Sequence, residues 1–254
     1  MKTVKGLHEK MGTFENANTS FHQAARCKRY TNEVLAFSMV KEEELLRATE
    51  EIQNLTYRQG EYKIFKVFEP KERLIMALPF YDRVVQHMIC NAIQPVFENG
   101  FYYHSYACRS GKGMHAASDT LYQWMYETEV KQGLRMYAFK GDISKYFASI
   151  PHDKLKDENR RYIGDKKALM LMDDIIDHNG ILPDGVGIPV GNLTSQLFAN
   201  VYGNKLDKFC KHVLHIPYFV RYMDDFIILS DDLEQLKEWV KSCLLYTSPS
   251  PRDA

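Results

Sequence analysis

Two apolar, strand-forming runs, YFVRYM (Tyr218 to Met223) and FIIL (Phe226 to Leu229), flank the adjacent acids Asp224 and Asp225. Runs of this kind predict two strands of a hairpin with the polar pair at the connection. Carboxylates have no packing reason to lie there, so the turn presents two oxygen-rich side chains from a rigid base. Hard divalent cations such as Mg²⁺ favour that environment, often beside substrate phosphates. Aspartate also occurs in hairpin turns for local hydrogen bonding alone. The dipeptide by itself therefore leaves both readings open, and the surrounding chain decides between them.

The 254 residues suffice for one large or two modest domains with a real core. With 33 basic and 33 acidic residues the formal net charge is zero, so any surface for a polyanion must come from local clusters such as Arg26, Lys28 and Arg29, or Lys63, Lys66, Lys71 and Arg73. Five scattered cysteines without a CxxC pair argue against a zinc site or a disulfide framework and fit a reducing cytoplasm. No signal peptide or membrane-length apolar run is found, so no membrane association is expected. His212 and His215 share helical spacing, but no third ligand is near in sequence.

Residues 1–60 are expected to be mostly helical, with Leu45, Leu46 and Ile52 as the apolar face of an acidic segment. Ile64 to Phe68 alternates like a strand. The run from Asp82 to Phe97 predicts a buried helix ended by Pro95. A glycine- and cation-rich loop then precedes a helix bearing Leu121, Trp124 and Met125. LRMYAFKGDI predicts a strand ending at Asp142, and ALMLMDDIIDH a helix with Leu169, Met172 and Ile176 on one face. GVGIPVGNLTSQ is a glycine-punctuated loop opening a helix near Ser195 that reaches about Cys210, and Ser230 is expected to cap the last helix. At Cys243 the sequence CLLYTSPSPRDA interrupts that helix, and it resembles a translated reading frame of a transposon-end sequencing adapter. Residues 243–254 are accordingly read as a non-native tail.

If the strand ending at Asp142 neighbours the Asp224–Asp225 hairpin, three carboxylates can hold two cations roughly 3.5–4 Å apart, a clamp for in-line displacement at phosphorus. Asp173–Asp174, inside an amphipathic helix, and Asp231–Asp232, at a helix start, need no such role.

At this point the residues carry a resemblance. KGDISKYFASI, GIPVGNLTSQLFANVY and RYMDDFIIL resemble, in that order, the consecutive palm motifs of reverse transcriptases, and EPKERLIMALPFYDRVVQHMI and SYACRSGKGMHAA resemble the family's fingers motifs. The likeness spans roughly residues 55 to 240 and is greatest to reverse transcriptases of bacterial and phage diversity-generating retroelements. It implies an α+β right-hand polymerase: a helical region (1–60), fingers (61–135, partly inserted between palm elements) and a palm (136–242) whose antiparallel sheet is backed by helices. Nothing beyond about Val240 resembles the rest of the palm or the thumb, so the thumb is expected to be missing.

The same resemblance implies roles. Asp142, Asp224 and Asp225 would hold two catalytic Mg²⁺ ions, which Mn²⁺ can replace, with Ile143 in the metal set. Lys66, Lys71 and Arg73 would contact the triphosphate, although a solvated strand edge explains Lys66 as well. Phe147, five residues past Asp142, would be the steric gate against a ribose 2′-hydroxyl, with core packing of Tyr146 or Phe147 as the alternative. Val190, Gly191 and Gln196 would line the nucleotide; Val190 and Gln196 replace the Gln and Pro common in the family and match the diversity-generating class, whose copying errs at template adenines. Gly203 stands where the family has a large apolar residue, and looser helix packing is expected there; Pro151 also departs. The expected activity is RNA-templated DNA synthesis with an RNA template, a DNA or RNA primer, deoxynucleoside triphosphates and an accessory variability protein. Rivals are a group II intron, retron or defence-associated reverse transcriptase, an RNA-dependent RNA polymerase, and a truncated RNA-binding fragment without activity.

Overall fold

The computed structural model describes residues 3–68 and 72–247. Helices α1 (Leu7–Met11), α2 (Phe14–Ala24), α3 (Asn32–Met39) and α4 (Lys41–Gln53) precede strands β1 (Lys63–Phe68) and β2 (Glu72–Ala77). Helices α5 (Phe80–Glu98) and α6 (Met114–Tyr126) lead to β3 (Tyr137–Asp142), the single turn α7 (Tyr146–Ser149), α8 (His152–Tyr162) and α9 (Lys166–Asp177). Then come α10 (Leu193–Lys208), β4 (Tyr218–Tyr222), β5 (Asp225–Ser230) and α11 (Leu233–Thr247). Among the described residues no helix is long and apolar enough to cross a membrane.

The chain divides into two compact units, each assembled from separated stretches: Met1–Gly100 with Phe147–Ala199, and Phe101–Tyr146 with Asn200–Ala254. In the first unit α2 and α5 pack together, and Phe21, Phe37 and Phe80 form a ring cluster with centroids 5.0 to 6.0 Å apart. Each such side chain contributes about 1.5–3 kcal/mol by leaving water. The buried face of α4 is Leu45, Ala48, Thr49 and Ile52, a stripe at i, i+3, i+4 and i+7, while Leu46 points to solvent. The face of α9 likewise shifts from the expected one: Ala168, Leu171, Met172, Ile175 and Ile176 are buried and Leu169 lies at the margin.

Pro95 does not end α5, which continues to Glu98. The proline removes one ladder bond near the C-terminus, and the following turn is held by Phe97, fully buried and edge-on to Tyr162 with centroids 5.4 Å apart. Nor does the last helix stop at Cys243: α11 reaches Thr247, and Cys243 is buried with its Sγ 3.5 Å from that of Cys210. Its cap is Asp232, whose Oδ1 accepts from the backbone N–H groups of Glu234 and Gln235, while the predicted cap Ser230 accepts from Asp232 N–H.

One carboxylate ties two helices of the first unit. Asp165 Oδ1 accepts from Lys167 and Ala168 N–H at the start of α9, and its Oδ2 accepts from Leu7 and His8 N–H at 2.8 and 3.0 Å at the start of α1. Partial burial by itself would raise the Asp165 pKa; the four N–H donors together outweigh it and hold the group below its ordinary value. A depressed carboxylate stabilises the fold above its unfolded pKa and stops doing so as pH falls through the folded one. Asp165→Ala should therefore lose about 1–2 kcal/mol in urea unfolding at pH 7, a deficit that shrinks as pH falls below about 4.

Candidate active site

In the second unit the three strands form one antiparallel sheet in the order β3-β5-β4. Its register places Asp142 directly opposite Asp225, which in turn lies opposite Tyr222. Residues two apart share a face, so Asp142, Lys140, Asp225 and Tyr222 lie on one side. Phe139, Phe226, Ile228, Phe219 and Arg221 lie on the other, where Leu206, Cys210 and Leu236 complete an apolar cluster. Toward β4 the first side is covered by α6: Val220 packs with Tyr106 and Ala117, and Trp124 lies 5.2 Å from Tyr218. The β3–β5 end stays open, with Asp142 exposed and Asp224 and Asp225 half-exposed.

The β4–β5 connection is a two-residue loop, Met223–Asp224, and Ile143 N–H donates to Asp224 C=O at 3.2 Å. Such tight loops require a positive φ that glycine or asparagine usually supplies. Here Met223 adopts φ 59°, a conformation costing a non-glycine residue on the order of 1 kcal/mol or more. Arg221, fully buried, holds it: Nη1 donates to Met223 C=O at 2.9 Å. The remaining donors go to Asp207 Oδ1 (from Nε, 2.6 Å) and Oδ2 (Nη2, 2.8 Å), Ser105 Oγ (Nη2, 3.1 Å) and Asn200 Oδ1 (Nη1, 3.4 Å). All five guanidinium N–H donors are thus used. Burial works against the Arg221 charge, but Asp207 holds its pKa above the ordinary value.

Like charges directly opposite on a sheet destabilise each other, so the Asp142–Asp225 pair demands a compensating cation. Lys140, diagonal to Asp225, supplies one, with Nζ 3.1 Å from Asp225 Oδ1. Among the described residues no three acidic, histidine or cysteine side chains converge as a ready metal cluster. The oxygen-only donor set on adjacent strands nonetheless fits a hard divalent cation.

The other expected site residues belong to the first unit. Lys66 on β1 pairs with Glu72 at 2.6 Å, Arg73 is exposed on β2, and Lys71 lies outside the described residues. The Val190 loop docks through its backbone, Met76 N–H donating to Val190 C=O at 3.0 Å. Gly191 has φ 124°, and a Cβ there would come within 2.8 Å of the Met76 carbonyl oxygen. The helix begins at Leu193, two residues before the expected Ser195; Gln86 Oε1 accepts from Leu193 N–H, and Gln196 is exposed in the first turn. Phe147 is half-buried, whereas Tyr146 is the inward ring of that pair.

Sequence comparison matches residues 66–248 to the family described as reverse transcriptase (RNA-dependent DNA polymerase). The chain belongs to that family. It is 28% identical over 134 residues to protein YkfC of Escherichia coli, covering 50% of this chain and 34% of YkfC. It is 29% identical over 137 residues to an uncharacterized 91 kDa protein in the cob intron of Schizosaccharomyces pombe, covering 52% and 16% respectively. The chain thus spans about a third or less of these relatives. Among solved structures it resembles apo telomerase from Candida tropicalis, truncated from the C-terminal domain (TM-score 0.53, 13% identity, 81% of this chain and 51% of that one). It also resembles Candida albicans telomerase in complex with a fragment of telomeric RNA (TM-score 0.54, 10% identity, 76% and 41%). At these identities the likeness is one of fold, and the α+β architecture with small antiparallel sheets agrees with polymerase fingers and palm.

Sequence reasoning missed Lys140, Asp207 and Arg221. Its reading of Gly203 is corrected: a Cβ there would meet Arg221 Cζ and Nη1 and the Tyr146 hydroxyl at 2.7 Å each, so the glycine makes room for the buried guanidinium rather than loosening α10. An arginine at an inward position of an apolar strand was the available signal. Lys140 already occupies Asp225, so if the carboxylates hold Mg²⁺, Lys140→Met should tighten its binding about two- to fivefold, given the usual strength of an exposed ion pair. The Mg²⁺-dependent rise in melting temperature measures it.

Proposed function

We propose that the chain carries the nucleotidyl-transfer centre of an RNA-directed DNA polymerase. The observation that supports this most directly is the placement of Asp142 opposite Asp225, with Asp224 in the adjoining turn of a reverse transcriptase family member. The primer 3′-hydroxyl attacks the α-phosphorus of a deoxynucleoside triphosphate, the bond to the α–β bridging oxygen breaks, pyrophosphate leaves, and the hydroxyl proton passes to solvent water. Asp142, Asp224 and Asp225 would hold two Mg²⁺ ions, which when bound would supply a lowered hydroxyl pKa and neutralisation of leaving-group charge. Ile143 would complete that metal set, and Mn²⁺ could replace Mg²⁺. Arg73 and Lys71 bind phosphate oxygens, with Lys66 released from Glu72 as an auxiliary cation. Phe147 excludes the 2′-hydroxyl, while Val190, Gly191 and Gln196 flank the base. The ligands are an RNA template, a primer and deoxynucleotides, in the cytoplasm.

The finer reading is a diversity-generating retroelement enzyme working with an accessory variability protein. Val190 supports it: an aliphatic side chain cannot hydrogen-bond the nascent pair, and a loss of about 1.4 kcal/mol is already tenfold in discrimination. A second reading, an intron-associated reverse transcriptase, draws on the cob-intron relative. Primer extension on a defined RNA with Mg²⁺, followed by sequencing of the product, tests all of these. Asp224→Asn should reduce extension on the order of 100-fold or more; equal extension would sink the polymerase reading. Errors concentrated opposite template adenines support the diversity-generating class, and a uniform error spectrum favours the intron type. In the same assay Phe147→Ala should raise ribonucleotide incorporation, and unchanged discrimination removes Phe147 from the site.

A further inference from the structure

The turn that carries Asp224 adopts a backbone that its own sequence disfavours, since Met223 has φ 59° and no glycine or asparagine is present at that position. Something beyond the two turn residues must hold it. The backbone of Arg221 is clamped on the open edge of β4, with Arg221 N–H donating to His104 C=O at 3.0 Å and Tyr106 N–H donating to Arg221 C=O at 2.9 Å. Its side chain leaves the sheet on the face opposite the acids, and the bidentate bonds to Asp207 fix the guanidinium plane. From that plane Nη1 reaches the Met223 carbonyl. A lysine could pair with Asp207 but could not fill both sets of bonds, because its ammonium is a point charge. Gly203 supplies the clearance.

We infer that Arg221 is a positioning residue for the metal-binding carboxylates: anchored by Asp207 and admitted by Gly203, it locks the Met223 carbonyl and so sets where Asp224 stands. The inference rests on Asp142, Asp224 and Asp225 as metal ligands. An ion pair serving only the fold would move stability and leave metal affinity alone, and the two roles separate on that difference.

The test uses the full chain and Mn²⁺ as probe, with binding followed by electron paramagnetic resonance beside thermal melting and steady-state kinetics. Arg221→Lys, if it melts cooperatively, should weaken Mn²⁺ binding about 10–100-fold, the usual effect of removing a group that orients a ligand. It should also lower kcat while leaving the KM for deoxynucleotide within about twofold, because nucleotide contacts in the proposed reading come from other residues. A folded Arg221→Lys with unchanged Mn²⁺ affinity overturns the inference. If Arg221→Lys does not fold, Gly203→Ala decides by the same two criteria, since it displaces the guanidinium without removing it. Loss of cooperative melting in both variants assigns the pair to folding and also overturns it. Asp224→Asn is the control that separates the two proposals. If it leaves Mn²⁺ affinity intact, the ligand assignment fails and takes this inference with it. If it abolishes binding but wild type extends no primer, the polymerase reading fails while the positioning role stands on the binding data.

Discussion

The Arg221–Asp207 pair is the interaction on which the second unit depends. Both side chains are fully removed from water, and taking two charges into an interior costs several kcal/mol per ion before their attraction returns any of it. A hydrophobic pair of similar volume would fill the same space without that penalty. What it could not do is reach five acceptors at once from one planar fork. Those acceptors lie on α10, on the segment before α6 and on the β4–β5 turn, so the guanidinium joins three stretches that are distant in sequence. Removing one partner would leave the other buried and uncompensated, which typically costs about 3–5 kcal/mol.

The exposed side of the sheet poses the opposite problem. There Asp142 and Asp225 repel, and the repulsion is relieved by charge from outside the pair, by Lys140 as the side chains stand. One face therefore fixes the backbone with a satisfied ion pair while the other keeps an electrostatic demand open. The two faces are joined by two-residue alternation: Arg221 points inward because its neighbour Tyr222 points outward beside Asp225. A one-residue slip of β4 would bring the arginine to the surface and the tyrosine into the core.

Much of this was legible before any coordinates. The β3, β4 and β5 runs, the carboxylate at the end of β3 and Asp224 in the hairpin connection follow from alternation and from turn chemistry, whereas Asp225 opens β5 instead of sitting in the turn. What escaped was set by tertiary contacts. Pro95 signals a helix end, yet burial of Phe97 against Tyr162 outweighs one lost ladder bond. Ser230 and Asp232 are both good caps, and only the geometry chooses Asp232. The buried stripe Asn200, Asn204, Asp207 on α10 is polar, so a search for apolar periodicity passes over it. Asn200 Nδ2 bonds Ala107 C=O, and Asn204 Oδ1 accepts from Tyr102 N–H. Each buried amide is thereby satisfied by backbone that the sequence places about a hundred residues earlier.

The Val190 loop is anchored by hydrogen bonds that leave one of its side chains out. It is held to β2 by a carbonyl, to α5 by Gln86 through the Leu193 N–H, and by Asn192 Nδ2, which donates to the Tyr62 hydroxyl at 2.7 Å. None of these bonds uses the side chain of Val190. Gly191 is constrained, because a Cβ would strike the Met76 carbonyl oxygen, but position 190 is half-buried and the hydrogen bond that docks it is made by its main-chain carbonyl. Exchanging a hydrogen-bonding side chain for an aliphatic one there leaves the loop's anchorage intact. The hydrogen bonds that anchor the loop and the chemistry of the side chain at 190 are thus separable properties.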